Sequence, residues 1–264
     1  MIRLDDISVT FKKGTPLETV ALRGLGLDIP TGQFVTVIGS NGAGKSTLLN
    51  ALSGEVTPEA GRILVDDEDV TTWPTWRRAR LAARVFQDPM AGTCANLTIE
   101  DNLSLAALRG HGRRLGSAIT RKLRDEFRER LARLDLGLEN RLEDPMELLS
   151  GGQRQAVSLL MATIRPMKIL LLDEHTAALD PKIAAFVLDL TRTIVAEQKL
   201  TTLMVTHSMR QALDAGERTV MLHEGRVILD VAGDEREGLG VEDLLHMFER
   251  VRGEELADDS LLLG

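Results

Sequence analysis

Apolar and polar residues alternate along Ile2 to Phe11 and again along Val20 to Ile29. A period of two predicts strands with one buried face, and the link Lys12-Lys13-Gly14-Thr15-Pro16 makes them an antiparallel pair. Phe34-Val35-Thr36-Val37-Ile38 is nearly continuous in apolar character and reads as a buried strand, followed from Lys45 by a helix ending near Gly54. Gly61 to Val65, with the acids Asp66-Asp67-Glu68-Asp69, predicts a further hairpin, and Arg84 to Phe86 returns to a core sheet.

From about Asp88 to Ser150 the strand signal stops. Thr98-Ile99-Glu100-Asp101 is a capping pattern opening an apolar helix through Leu108. Arg113 to Arg133 reads as a second, very basic helix. Its Arg and Lys at 113, 114, 121, 122, 124, 128, 130 and 133 flank Leu115, Ile119, Leu123, Phe127 and Leu131 at helical intervals. One face therefore packs and the rest is solvated, and Asp125, Glu126 and Glu129 dilute the charge that could otherwise meet anionic headgroups.

Beyond this segment α/β alternation resumes. Strands are expected at 169–172, 202–206, 219–223 and 227–231, helices at 181–198 and 209–215, and a hairpin turn at Gly225. The tail from Ala232 to Gly264 is acidic. Leu244, Leu245, Phe248 and Val251 recur at helical spacing within it, which predicts docking onto the domain. No internal repeat is visible.

Composition narrows the function. The chain has 264 residues, 43% of them hydrophobic, which suits an α/β protein with a full core. It carries no apolar run long enough for a bilayer, and Met1 to Asp6 reads as a strand with acids rather than a signal peptide. A single cysteine, Cys94, excludes an internal disulfide framework and reads as an unreactive loop residue. The net charge of −8 argues against general nucleic-acid binding, and the five His have no metal-ligand spacing.

Three segments carry chemistry. Gly39-Ser40-Asn41-Gly42-Ala43-Gly44-Lys45-Ser46-Thr47 fits G-x-x-x-x-G-K-[ST] between a strand and a helix. Small residues let backbone N–H groups turn toward phosphate oxygens, and the helix N-terminus adds positive potential. Lys45 can neutralise the β- and γ-phosphates, and Ser46 can ligate Mg²⁺. Leu149-Ser150-Gly151-Gly152-Gln153-Arg154-Gln155 holds a capping box, Ser150 with Gln153, that opens a helix. Gly151 and Gly152 are expected to leave its first turn open to a second phosphate contact. Ile169-Leu170-Leu171-Leu172-Asp173-Glu174 reads as a central strand delivering two acids to its C-terminal edge. Asp173 would hold Mg²⁺, directly or through water, and Glu174 would orient and deprotonate the attacking water.

Together these motifs resemble the nucleotide-binding subunit of an ATP-binding-cassette (ABC) transporter, from about Met1 to about Val231. The resemblance implies an α/β fold: a phosphate-loop NTPase core sheet (RecA-like), an antiparallel β subdomain and an inserted α-helical subdomain. The core and β subdomain would take about 1–87 and 156–231, the helical part about 88–155, and a C-terminal extension 232–264. It also implies further roles. Phe11 would stack on adenine, Gln87 would reach Mg²⁺ and the attacking water, and His207 would contact the γ-phosphate. Asp180, in Ala178-Leu179-Asp180, would bridge two subunits. Two copies would face head to tail, with ATP on Gly39–Thr47 of one capped by Ser150–Gln153 of the other. A groove near 88–105 would receive a helix from a transmembrane permease. A solute-binding protein would join through that permease, which places the chain peripherally at the cytoplasmic face of the inner membrane.

Two positions depart from the family pattern. Phe11 replaces the more usual Tyr, which leaves stacking intact. His175 replaces the Pro usual after the catalytic Glu and reads as an exposed loop residue without a role. The run DEHTAALDP resembles a subgroup of bacterial importer ATPases paired with permeases like those for branched-chain amino acids, whose binding proteins are often assigned, loosely, to aromatic amino acids. The rival readings are a cassette ATPase not coupled to transport and an unrelated phosphate-loop enzyme such as a kinase; the string LSGGQ speaks against the latter.

Overall fold

A computed structural model describes residues 1–110 and 119–250. In chain order the elements are β1 (Ile2–Phe11), β2 (Thr19–Ile29), β3 (Phe34–Gly39), α1 (Lys45–Ser53), β4 (Ala60–Val65), β5 (Glu68–Asp69), α2 (Thr75–Arg78) and β6 (Ala82–Val85). Then follow α3 (Ile99–Ala107), α4 (Arg121–Ala132), α5 (Gly151–Thr163), β7 (Ile169–Asp173), α6 (Pro181–Gln198), β8 (Thr202–Val205), α7 (Met209–Ala215), β9 (Arg218–His223) and β10 (Arg226–Ala232). The chain divides into two compact units. One comprises Met1–Ala51, Val56–Thr71 and the chain from Leu203 onward; the other comprises Leu52–Glu55 and Thr72–Thr202.

In the first unit β1 pairs antiparallel with β2 and with β4, and β5 closes that sheet in the order β2-β1-β4-β5. The alternation in β1 slips by one residue at Asp5-Asp6. A bulge absorbs the slip: Asp6 takes φ 49°, the register shifts between Leu4 and Ile7, and Ile2, Leu4, Ile7 and Val9 all stay buried. A second sheet of this unit runs β10-β9-β3-β8. Here β3 lies parallel to β9, and β9 turns back antiparallel into β10. β3 is buried from Phe34 to Ile38, as its apolar run requires. Residues 241–250 are helical and dock on this unit. Leu244 is buried with Ile38, Ala212 and Met221, and Phe248 meets the His223 ring edge-on at 5.6 Å. The expected docking of the tail is thus present at Leu244 and Phe248, whereas Leu245 is exposed; Val251 lies outside the described residues.

In the second unit β6 and β7 pair in parallel, Ala82 opposite Ile169 and Val85 opposite Leu172. This pairing starts the strand at Ala82, two residues before the expected Arg84. Around it α3, α4 and α5 enclose a core of Ile99, Leu103, Phe127, Leu131, Met146 and Val157. The Thr98–Asp101 capping box forms as its sequence dictates. The basic helix is shorter than expected. Ile119 and Thr120 are not helical, and α4 starts at Arg121 because the Thr120 hydroxyl caps it, accepting from the Leu123 N–H. The expected start at Arg113 lies outside the described residues. Several of its basic residues are paired with acids. Arg124 grips Glu100 with two bonds of 2.7 and 2.8 Å, Arg128 pairs with Asp125 and Arg130 with Glu126.

Candidate nucleotide site

The first unit carries the phosphate loop between β3 and α1. Gly39 and Gly44 adopt φ values of 152° and 101°, and a Cβ would stand 2.3 Å from the Leu222 carbonyl at Gly39 and 2.5 Å from the Ala21 carbonyl at Gly44. Only glycine fits either position. Lys45 is 7% exposed, and its ammonium folds back onto the loop, donating to the carbonyls of Gly39 (2.9 Å) and Ser40 (3.0 Å). A positive charge is thereby held against the loop backbone, with Ser46 and Thr47 in the first helical turn. The Gly225 N–H donates to the Ala43 carbonyl, and its own carbonyl accepts from Arg23. The β9–β10 turn thus braces the loop, a role its hairpin signature does not disclose.

Two more expected residues lie in this unit. Phe11 ends β1 and is 39% exposed. His207 follows β8 on a braced turn, where Ser208 N–H donates to the Thr206 hydroxyl and Ser208 caps α7. The Thr206 N–H donates to Val37, tying that turn to the strand that feeds the phosphate loop. His207 is exposed.

The second unit carries the acids and the capped helix. Asp173 ends β7 and Glu174 follows at φ 43°, a left-handed conformation that non-glycine residues adopt rarely and that recurs at functional turns. Asp173 Oδ2 accepts from Arg84 at 2.6 Å, and the other arm of Arg84 reaches Glu55 at 3.1 Å. Arg84 was not among the expected residues. It sits three positions before Gln87, and a partner 89 residues away leaves no local signal. Gln87 itself is exposed just beyond β6.

His175 corrects the sequence reading. It is 1% exposed, and its Nε2 lies 3.0 Å from Thr191 Oγ1 on α6. The Thr191 proton already goes to the Val187 carbonyl at 2.8 Å, so Nε2 carries the hydrogen and donates. Burial pushes the imidazole down to about 4, which keeps it neutral. The reading of an exposed loop residue fails because the turn after Glu174 folds back under α6.

The capping box at Ser150 forms as expected. Its hydroxyl accepts from the Gln153 N–H, and the Gln153 side chain accepts from the Ser150 N–H. Gly151 is exposed, but Gly152 is buried, and a Cβ on it would fall 2.2 Å from Ile183 Cγ2. Its smallness serves the packing of α5 on α6 rather than an open first turn. Arg154 organises the preceding chain by donating to the carbonyls of Met146, Glu147 and Leu149. Gln155 is fully buried and donates to the Phe86 carbonyl at 3.1 Å, joining the signature helix to the residue before Gln87. Asp180 caps α6, accepting from Ile183 N–H, with Pro181 in the first turn.

Comparison with known proteins agrees with this set of features. Residues 22–177 match the family model described as ABC transporter. The tyrosine transport ATP-binding protein of Clostridioides difficile is 43% identical over 94% of this chain and 99% of its own length. The thiamine import ATP-binding protein ThiQ of Escherichia coli is 36% identical over 79% of this chain and 85% of its own. Among solved structures, an ATP-binding cassette captured as a dimer in a post-hydrolysis state with ADP and Pi superposes with a TM-score of 0.74 at 29% identity. It covers 88% of this chain and 98% of that one. A component of an ABC transporter complex from Clostridium perfringens gives 0.73 at 26% identity, covering 93% and 92%. The chain belongs to the ABC transporter family, as an importer-type ATP-binding subunit whose ATP hydrolysis is coupled to transport.

Proposed function

We propose that this subunit works as a head-to-tail pair beneath a membrane permease, with Mg²⁺–ATP as the ligand that closes it, and that the solute is an aromatic amino acid. The observation that carries the reading is the charged phosphate loop, in which Lys45 is enclosed by the carbonyls of Gly39 and Ser40. An ammonium held there has phosphate oxygens as its natural partners. Phe11 supplies an exposed ring for adenine.

Ser46 and Asp173 offer hydroxyl and carboxylate oxygens, the hard donors that Mg²⁺ takes, and that ion needs only one or two protein oxygens beside phosphate and water. Bound there, Mg²⁺ would neutralise charge on the transferring phosphoryl group. Glu174 takes the proton of the attacking water, Gln87 orients that water, and His207 contacts the γ-phosphate. Ser150, Gly151 and Gln153 of a second copy, with Asp180 at the junction, complete the ATP contacts; Gly152 lets that helix pack.

The permease contact is assigned to a cleft of about 330 Å³ in the second unit, lined by Phe86, Pro89, Leu105, Ala106, Arg109 and Met161. Leu105 and Leu108 stand about half exposed beside it, apolar surface suited to a short amphipathic helix. Beneath such a permease the subunit would sit peripherally at the cytoplasmic face; among the described residues no helix is long and apolar enough to cross a membrane. The solute assignment rests on the tyrosine-transport relative, which matches nearly the whole chain. The test uses proteoliposomes carrying the permease and its binding protein. An aromatic amino acid is expected to stimulate ATP hydrolysis, and Lys45→Ala to abolish the stimulation while weakening ATP binding by roughly tenfold to a hundredfold. No response to aromatic amino acids overturns the solute, and unchanged ATP binding overturns the site.

A further inference from the structure

Arg84 stands beside Asp173, a candidate metal ligand of the second unit. Its side chain is 10% exposed and holds two carboxylates, Asp173 at 2.6 Å and Glu55 at 3.1 Å. Its guanidinium also lies 4.8 Å from the centre of the Phe86 ring, the residue before Gln87. The Phe86 carbonyl in turn accepts from the buried Gln155 of α5. The two acids differ in freedom: the Asp173 side chain is 17% exposed and ends a strand, whereas that of Glu55 is 41% exposed beyond the end of α1.

We propose that Arg84 is a positioning residue that competes with Mg²⁺ for Asp173, with Glu55 as the partner that retains it when Asp173 turns to the metal. This rests on the reading of Asp173 as a metal-holding carboxylate. The physical argument is charge balance. A carboxylate largely out of water needs a cation beside it, and Arg84 supplies one through a charge-assisted bond. Arg84 already neutralises Asp173 through Oδ2, so Mg²⁺ held there, directly or through water, would meet a second positive charge beside it and would weaken that bond. The second arm lowers the cost, because the guanidinium keeps a carboxylate partner throughout. The ring of Phe86 limits its travel, so the exchange is felt on the segment that carries Gln87.

Opposite shifts on removing Arg84 and on removing Glu55 distinguish this from a merely structural ion pair. The full-length chain, complexed with a fluorescent ATP analogue, is titrated with Mg²⁺, and equilibrium binding is read rather than turnover. Arg84→Gln removes the competing charge and is expected to tighten Mg²⁺ about fivefold. Arg84→Lys restores Mg²⁺ binding toward wild type. Glu55→Gln removes the second partner and is expected to weaken Mg²⁺ by about threefold. It alters an exposed side chain, so it stays informative even if Arg84→Gln fails to fold. Asp173→Asn controls for the underlying reading and is expected to weaken Mg²⁺. If Asp173→Asn weakens Mg²⁺ but Arg84→Gln weakens it too or leaves it unchanged, the competition is wrong and the metal assignment stands. If Glu55→Gln leaves Mg²⁺ binding unchanged, the handover is wrong. If Asp173→Asn changes nothing, the metal assignment fails and this proposal falls with it.

Discussion

His175 adjoins the candidate catalytic carboxylate, yet its clearest consequence concerns folding. The imidazole is neutral and buried in the folded chain, at about 4 rather than the ordinary 6.5. The unfolded chain therefore takes up a proton as pH falls through 6.5, while the folded chain resists until about 4. Stability from this residue is complete above 6.5 and is lost between 6.5 and 4, in total about 3 kcal/mol. His175→Gln keeps a donor for Thr191 but cannot titrate. Urea unfolding at pH 7 and pH 4.5 is expected to show the wild type losing roughly 2–3 kcal/mol more than the variant between the two. Equal losses would mean that the ring is not held neutral. The sequence could not disclose this, because nothing in the run around His175 shows that the turn tucks beneath α6. Lys45 is the opposite case. Its place follows from chain geometry within a nine-residue loop, so the spacing alone located it.

Elements were legible where the signal is local. The strand alternation of β1 and β2, the Thr98–Asp101 box and the Ser150–Gln153 box all lie within a few residues of what they shape. Boundaries set by distant partners were not. β6 starts where β7 pairs with it, and α4 starts where a threonine cap overrides a longer helical period. Gly152 is instructive because its motif suggested openness and its surroundings show packing. A Cβ there collides with Ile183 of α6, and a β-branched side chain one turn into a helix has little room to yield. Gly152→Ala is expected to cost about 1–3 kcal/mol in denaturant unfolding. Ile183→Ala in the same chain should recover much of that loss, giving a coupling of about 1 kcal/mol or more in a double-mutant cycle. Strictly additive effects would remove Ile183 as the reason for the glycine.

At the scale of the molecule the chain presents two groups suited to a triphosphate, a charged phosphate loop in one compact unit and a capped, exposed helix start at Ser150 in the other. The pattern of residues disclosed both, but not which copy of the chain each serves, since composition and periodicity carry no information about a second molecule. The proposed head-to-tail pair would resolve this by letting ATP on one copy collect contacts from the next. Such a pair is held by the nucleotide and should part once the γ-phosphate leaves. Glu174→Gln tests that link directly. An amide cannot accept the water proton, so hydrolysis should fall by at least about 100-fold, the scale of general-base catalysis. The phosphate loop is untouched, so ATP should still bind. The variant is then expected to run as a dimer in size-exclusion chromatography with ATP and Mg²⁺, and as a monomer with ADP. A monomer under both conditions with hydrolysis lost would separate the base from the pairing and leave only the first standing. Wild-type turnover in this variant would remove Glu174 from the chemistry altogether, whatever its backbone conformation.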